Sequence, residues 1–335
     1  MKGLLPLEKE LQLMSEILPA FAYDEKEDFK AWQEKARLKL SELLGMDKFI
    51  PVKPEITVEF DRITDCFREI RFRFFSEESY SVPCHLCVPL KAEKPLPLMI
   101  CLQGHSPGMY ISLGETQIEK DSLLIEGDRN FAVRSVKEGV CALALEQRNF
   151  GECGGKDNKP DCYKAAMSAL LIGRTTIGER VWDIMRAIDA VTEYFGGIVD
   201  KDRIGCLGNS GGGTATFYTS ILEERIKLSV VSCALCSYDE SIAAMHHCAC
   251  NFIPHIREYF NMGDLGGLIS PRKLLMVSGE KDGIFPIDGA NKTFKTIKRL
   301  YTTSGVPDNC DIVTGSEGHR FYADLAWIKI HKLGF

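Results

Sequence analysis

The chain has 335 residues, 41 Lys+Arg against 47 Asp+Glu for a net charge of -6, and 45% hydrophobic residues. This is an ordinary globular composition, so wholesale disorder is excluded, while the length permits either two domains or one elaborated domain. Mild acidity without a long basic block argues against a nucleic-acid partner, and the most apolar runs, 98–102 and 230–236, are too short to span a bilayer.

Taken in chain order, residues 4–45 read as helices. Leu5, Leu7, Leu11, Met14, Ile17 and Leu18 recur at helical spacing, as do Trp32, Ala36, Leu38, Leu40, Leu43 and Leu44, and Gly45 acts as a stop. No export signal is read at the N-terminus, because charged residues interrupt the apolar run before it reaches signal-peptide length. From Ile56 the period becomes two, and ITVEF, FREIRFRFF and YSVPCHLCVPL predict three consecutive antiparallel strands.

After Pro97 the texture changes to short, nearly continuous apolar runs: PLMICLQG, GVCALALEQ, RIGCLGNS, IKLSVVSCA and RKLLMVSGE. Such runs suit strands buried on both faces of a parallel sheet. Amphipathic segments at 180–194, from 214, at 290–303 and at 322–333 alternate with them, which predicts βαβ units and a doubly wound sheet. The stretch of about 35 residues between Cys233 and Arg272 is too long for a plain loop and predicts a helical cap at about 237–270. The domain reading is therefore a helical N-terminal extension over 1–50 and one α/β domain over 51–335.

The thirteen cysteines are an odd number in a chain too long to need disulfide staples, which favours free thiols in a reducing cytoplasm. In a strand, Cys84 and Cys87 point to opposite faces roughly 10 Å apart and cannot share one ion. The Cys233/Cys236 pair ends a β-branched run where buried thiols are common. The run His246-His247-Cys248-Ala249-Cys250 invites a metal reading, but no second spaced pair supports it along the sequence, and no metal or organic cofactor is assigned.

Reactive groups in such sheets gather at the carboxyl ends of the strands. There, RIGCLGNSGGG runs from strand through Gly208-Asn209-Ser210-Gly211-Gly212 into a helix, a G-x-S-x-G turn that lifts the Ser210 hydroxyl out of the sheet, with small neighbours at Gly208 and Gly212 relieving crowding. The run lacks the Lys-Ser/Thr ending of a P-loop and the order of a dinucleotide fingerprint. A serine nucleophile needs a base, and His319 follows the strand-like CDIVTG just before the last helix. His85 and His331 read as structural, and His246, His247 and His255 fall in the insertion, where they would wall a pocket.

The carboxylate that orients the base is assigned to Asp282 in GEKDGIFP, ahead of Glu280, Asp288 and Glu317. Ser210, Asp282 and His319 thus occur in the Ser…Asp…His order of the α/β-hydrolase fold. The oxyanion donors are expected from the amides of Gly211 and of His105, in the loop Gln103-Gly104-His105-Ser106-Pro107-Gly108. Gln103, Gly104, His246 and Tyr259 are the expected substrate contacts. Arg148, Glu152, Arg174, Glu179 and Asp183 are read as ion pairs tying a loop to its helix.

From about residue 55 onward, LQGH, EQRNFGE, GRTTIGERVWDIMRAIDAV, GNSGGG, GEKDGIFP and EGHRF resemble the acetyl xylan esterase and cephalosporin-C deacetylase branch of the α/β-hydrolases, and dienelactone-hydrolase-related esterases more broadly. The resemblance implies an α/β-hydrolase fold: a mostly parallel doubly wound sheet with antiparallel N-terminal strands, a helical N-terminal extension and a small cap insertion. It also implies a serine carboxylesterase acting through an acyl-enzyme on a small acyl ester, often an acetylated carbohydrate. The chain departs from the deacetylase pattern at Gln103, which replaces a histidine, and at Asn149-Phe150-Gly151. It departs from dienelactone hydrolases proper in carrying Ser210 where they carry cysteine. The alternatives are a prolyl-oligopeptidase-like peptidase and a non-catalytic binding protein of the same fold. The expected partner is a small-molecule ester, with no nucleic acid and no membrane, and a homo-oligomer is left open.

Overall fold

The computed structural model describes residues 3–91, 93, 95–106, 108–156 and 160–335. Pro107, in the expected oxyanion loop, lies outside the described residues. Nine strands form one sheet: Ile56–Ile63 (β1), Phe67–Glu77 (β2), Tyr80–Pro89 (β3), Leu96–Leu102 (β4), Cys141–Leu145 (β5), Val199–Asn209 (β6), Ile226–Ser232 (β7), Lys273–Gly279 (β8) and Cys310–Gly315 (β9). Helices Pro6–Glu16 (α1), Phe29–Leu44 (α2), Asp121–Glu126 (α3), Phe131–Lys137 (α4), Cys162–Leu171 (α5) and Thr176–Tyr194 (α6) precede β6. Gly211–Leu222 (α7), Ile256–Tyr259 (α8), Met262–Gly267 (α9), Ile287–Thr303 (α10) and Ala323–Lys332 (α11) follow it.

The sheet order is β1-β2-β3-β5-β4-β6-β7-β8-β9. The β1/β2, β2/β3 and β3/β5 pairs are antiparallel and every later pair is parallel, as the change of hydrophobic period predicts. Because β4 lies between β5 and β6, the chain reverses its direction of travel there. The resulting crevice at the carboxyl ends of β4 and β6 is where such sheets place ligands.

Alternation along each central strand divides the core in two. Leu98, Ile100 and Leu102 of β4 pack with Ile184, Ile188 and Val191 of α6, whereas Met99 and Cys101 pack with Phe131 of α4 and Trp327 and Ile330 of α11. Likewise Leu274 and Met276 of β8 face Ile297 and Leu300 of α10, while Leu275 and Val277 face the opposite layer. Cys84 and Cys87 fall in different layers for the same reason.

Local chemistry sets the helix ends. The Asp28 side chain accepts from the Ala31 amide at 2.8 Å to start α2, and Gly45 ends it at φ +73°. Trp32, Ala36, Leu40 and Leu44, four apart, place one face of α2 in the same core as Phe217, Ile269 and Ile297. Helix α6 begins four residues earlier than the apolar stripe indicates, because the Thr175 hydroxyl caps the Gly178 amide at 3.0 Å. Between β7 and β8 the insertion consists of short helical pieces, α8 and α9, joined by irregular chain. No helix among the described residues is long and apolar enough to cross a membrane.

Candidate active site

Strand β6 delivers Ser210 directly into the first turn of α7. Ser210 has φ 56° and ψ -122°, a conformation costly for a residue with a side chain and held only where the surroundings over-determine it. Its amide donates to the Ser232 carbonyl at 2.8 Å, and its carbonyl accepts the first helical bond from Thr214 at 2.8 Å. The glycines make this turn possible. A Cβ on Gly208 would lie 2.2 Å from the Gly212 carbonyl oxygen, and one on Gly212 would lie 2.1 Å from that of Leu102. The amides of the first turn of α7 have no intrahelical acceptor, so they are available to a developing negative charge beside Ser210.

The candidate base and the carboxylate expected to orient it follow β9 and β8. His319 Nδ1 is 2.8 Å from Asp282 Oδ2, and Asp282 Oδ1 accepts from the amides of Ile284 at 2.8 Å and Phe285 at 3.1 Å. Burial alone would raise the Asp282 pKa, but the hydrogen bond and charge of His319 and these amides hold it below the ordinary carboxylate value. The Phe285 ring stacks along His319, at 6.0 Å between centroids and 16° between planes. Arg129 Nη2 donates to the His319 carbonyl at 2.8 Å. The competing carboxylates are elsewhere: Glu317 pairs with Lys281 at 3.5 Å on the surface.

The loop after β4 packs against the Ser210 turn. A Cβ on Gly104 would meet the Asn209 carbonyl oxygen at 2.7 Å and Ser210 Cβ at 3.0 Å, and one on Gly211 would meet His105 Nδ1 at 2.9 Å. The two backbones therefore approach as closely as glycine allows. A cavity of about 280 Å³ opens above them, lined by His105, Arg129, Ser210, Met245, His246, His247, Cys248, Ile284 and His319. The larger surface depressions lie away from these residues.

Two expected substrate contacts are corrected. Gln103 is buried beneath the loop, where its Nε2 donates to Ser112 Oγ and to the Arg129 carbonyl, each at 2.7 Å; it braces the loop and does not line the cavity. Tyr259 is carried away from the cavity because its segment pairs with the N-terminal chain. Its carbonyl accepts from the Phe21 amide at 2.9 Å, and its ring lies beside Phe21 and 4.8 Å from Lys39 Nζ. His246 and Gly104 are in or against the cavity, as is His247, whereas His255 pairs with Glu258. Arg129, Met245 and Ile284 had no sequence signal, because each reaches the cavity from a loop of irregular spacing, and Cys248 was marked only as part of the run 246–250.

The charged residues beside the site are braces. Arg148 pairs with Asp183 at 2.8 Å and with Glu77, and Arg174 pairs with Glu77 at 2.7 Å, joining the loop after β5 to α6 and β2. Glu152 turns to Arg71 and Arg73 of β2. Glu146 is buried and accepts from the amides of Met109 and Glu152, each at 3.2 Å; burial pushes it up to about 7.

A thiol cluster lies beside the cavity and reaches its lining through His105 and Cys248. His105 Nε2 lies 3.2 Å from Cys250 Sγ, and Cys162 and Cys248 complete a group whose candidate ligand atoms all fall within 4.8 Å of one another. Behind it Arg180, fully buried on α6, donates to Cys250 Sγ at 3.6 Å, to Cys162 Sγ at 3.7 Å and to the Arg148 carbonyl, with its guanidinium 4.2 Å from the Phe150 ring centroid. Hydrogen bonds with Cys162 and Cys248 draw the Cys250 thiol well below its ordinary pKa, against the effect of burial. Burial alone would lower His105, yet its hydrogen bonds to Cys248 and Cys250 lift it to about 9. Most of the cysteines are buried.

A strained serine at a strand-to-helix turn, an Asp–His pair at the ends of the next strands but one, and a reversing sheet order recur together in one large group of enzymes. Residues 7–333 match the Abhydrolase family. The chain belongs to that family. The α/β-hydrolase fold expected from the motifs is thereby borne out, together with the expected resemblance. A relative from Bacillus subtilis (strain 168), YtaP, named provisionally as a hydrolase, is 27% identical over 240 residues, 71% of this chain and 77% of that one. Among solved structures, a Bacteroides fragilis NCTC 9343 protein described provisionally as an acetyl xylan esterase superposes with a TM-score of 0.82 at 18% identity, over 99% of this chain and 96% of that one. A glucuronoyl esterase from Solibacter usitatus superposes with a TM-score of 0.69 at 15% identity, over 95% and 98% of the two chains. At these identities the solved structures share the fold.

Proposed function

We propose that the protein is a serine carboxylesterase that hydrolyses small acyl esters, acetylated carbohydrate among them, through an acyl-enzyme. The observation that carries this reading is the strained Ser210 turn in one cavity with His319, whose Nδ1 is held by Asp282 at 2.8 Å. Ser210 Oγ attacks the ester carbonyl while His319 Nε2 takes its proton. Asp282 keeps the imidazole in the Nδ1–H tautomer and stabilises the imidazolium. The amides of Gly211 and His105 receive the oxyanion, and collapse of the tetrahedral intermediate expels the alcohol, which takes the proton back from His319. Water then repeats the sequence on the acyl-enzyme.

The cavity of about 280 Å³ suits a small acyl group. The names of the superposed structures, acetyl xylan and glucuronoyl esterases, support a carbohydrate ester as the substrate class. Arg129 adds a cation to the cavity wall, with its buried Nε unpartnered among the described residues. The odd number of cysteines, thirteen, supports work in a reducing compartment such as the cytoplasm.

The test compares wild type with Ser210→Ala on p-nitrophenyl acetate and butyrate and with a fluorophosphonate probe. Equal labelling and turnover by the two proteins rejects the reading. Acetylated xylan oligomers, a glucuronoyl ester and a panel of peptide amides then separate carbohydrate esterase from peptidase activity.

A further inference from the structure

Arg180 poses a charge problem that the proposed hydrolytic chemistry does not answer. It is fully buried, and among the described residues no carboxylate pairs with it; its partners are the Arg148 carbonyl and the sulfurs of Cys162 and Cys250. A buried guanidinium requires a compensating anion. The atoms facing it are three sulfurs and an imidazole from three places in the chain: His105 after β4, Cys162 at the first position of α5, and Cys248 and Cys250 in the insertion after β7.

We propose that Cys162, Cys248 and Cys250 through Sγ, and His105 through Nε2, bind one Zn²⁺ in a closed tetrahedral site. Zn–S bonds of about 2.3 Å and a Zn–N bond of about 2.0–2.1 Å give a tetrahedron with edges of roughly 3.5–3.8 Å. The four candidate ligand atoms already lie within 4.8 Å of one another, so small side-chain adjustments close it. Soft thiolates with one imidazole select zinc over magnesium or calcium. Three thiolates around a divalent ion carry one net negative charge, and Arg180 neutralises it. Neutral thiols or a disulfide leave the guanidinium without its counter-charge.

Four protein ligands fill the coordination sphere, so the ion offers no position for water or ester and is structural. It clamps the loop after β4, the start of α5 and the insertion to one point. Metal at Nε2 also leaves the His105 proton on Nδ1, the ring edge that lies against Gly211. The clamp thereby positions the loop that faces the nucleophile.

The test is the metal content of the untagged full chain, expressed with zinc and purified without chelator. The proposal expects about one zinc per chain, falling at least about tenfold in Cys162→Ser and in Cys250→Ser, and unchanged in Cys66→Ser, whose thiol is exposed and remote. Cobalt exchanged into wild type is expected to show thiolate-to-metal charge transfer and the intense visible bands of a tetrahedral site, a readout that needs no variant to fold. Folded wild type that retains less than about one-tenth zinc per chain overturns the proposal. So does a disulfide among these cysteines in the freshly isolated protein, or copper or iron in place of zinc. Metal content is read without substrate, so Ser210→Ala protein retains zinc even if the esterase reading fails, and either proposal can fall alone.

Discussion

Two walls border the cavity, one through Ser210 and His319 and the other through His105 and Cys248, and they are built by different means. Ser210, Asp282 and His319 follow parallel strands β6, β8 and β9 by one, three and four residues. The strand ends are level, with Asn209 opposite Ser232 and Gly279 opposite Gly315 in the sheet register, so residues remote in sequence converge without further design. The thiol wall has no such frame. Its four polar side chains arrive from a loop, a helix start and an irregular segment, and only the buried Arg180 behind them supplies an organising charge. One wall inherits its order from backbone hydrogen bonding, while the other depends on side-chain chemistry to hold it.

Breaking each wall in turn sharpens this contrast. On the strand-end wall, Ser210→Ala is expected to lower kcat for p-nitrophenyl acetate by about 10⁴-fold or more while leaving the denaturation midpoint nearly unchanged. Asp282→Asn is expected to lower kcat by about 10³–10⁴-fold with a small change in KM, because the wrong imidazole tautomer is then held in an intact geometry. The depressed Asp282 pKa adds stability that is present above the unfolded value and lost as pH falls through the folded one, so this wall weakens on the acid side.

On the thiol wall the expected damage is to stability. Arg180→Met removes the cation that faces Cys162 and Cys250, and urea denaturation is expected to show a loss of about 3–5 kcal/mol. Gly212→Ala tests the packing between the walls. Its Cβ would stand 2.1 Å from the Leu102 carbonyl oxygen, a backbone atom that cannot swing aside. About 3 kcal/mol of destabilisation is expected, with activity falling as the turn shifts.

The smallest effect belongs to Glu146, which lies near Glu152, Arg71 and Tyr110. Its pKa is raised from 4.5 to about 7, so the folded state holds the proton more tightly and wild-type stability declines as pH rises through that interval. Glu146→Gln keeps the acceptor for the Met109 and Glu152 amides without the charge. Its stability relative to wild type is expected to improve by about 1–2 kcal/mol between pH 5 and pH 8, read from thermal melts across that range.

Strands and triad candidates were legible because both rest on local pattern. Alternation marked β1 to β3, continuous apolar runs marked the parallel strands, and the polar residues just past those runs included Ser210, Asp282 and His319. Gln103 and Tyr259 were misread because facing the cavity is not a local property: the Ser112 and Arg129 contacts draw the first inward, and the Phe21 pairing draws the second away. Cys248 and Cys250 stood in plain view as a pair, but their companions His105 and Cys162 are joined to them only by the fold.

The sequence alone determined the α/β architecture, the place of the serine turn and the order of its partners, since hydrophobic period and turn chemistry act over a few residues. Only the tertiary structure decided which side chains line the cavity, and that Arg180 lies buried against sulfur. Those outcomes depend on loops whose paths are set by what they pack against, and a buried charge finds its partner across the whole chain.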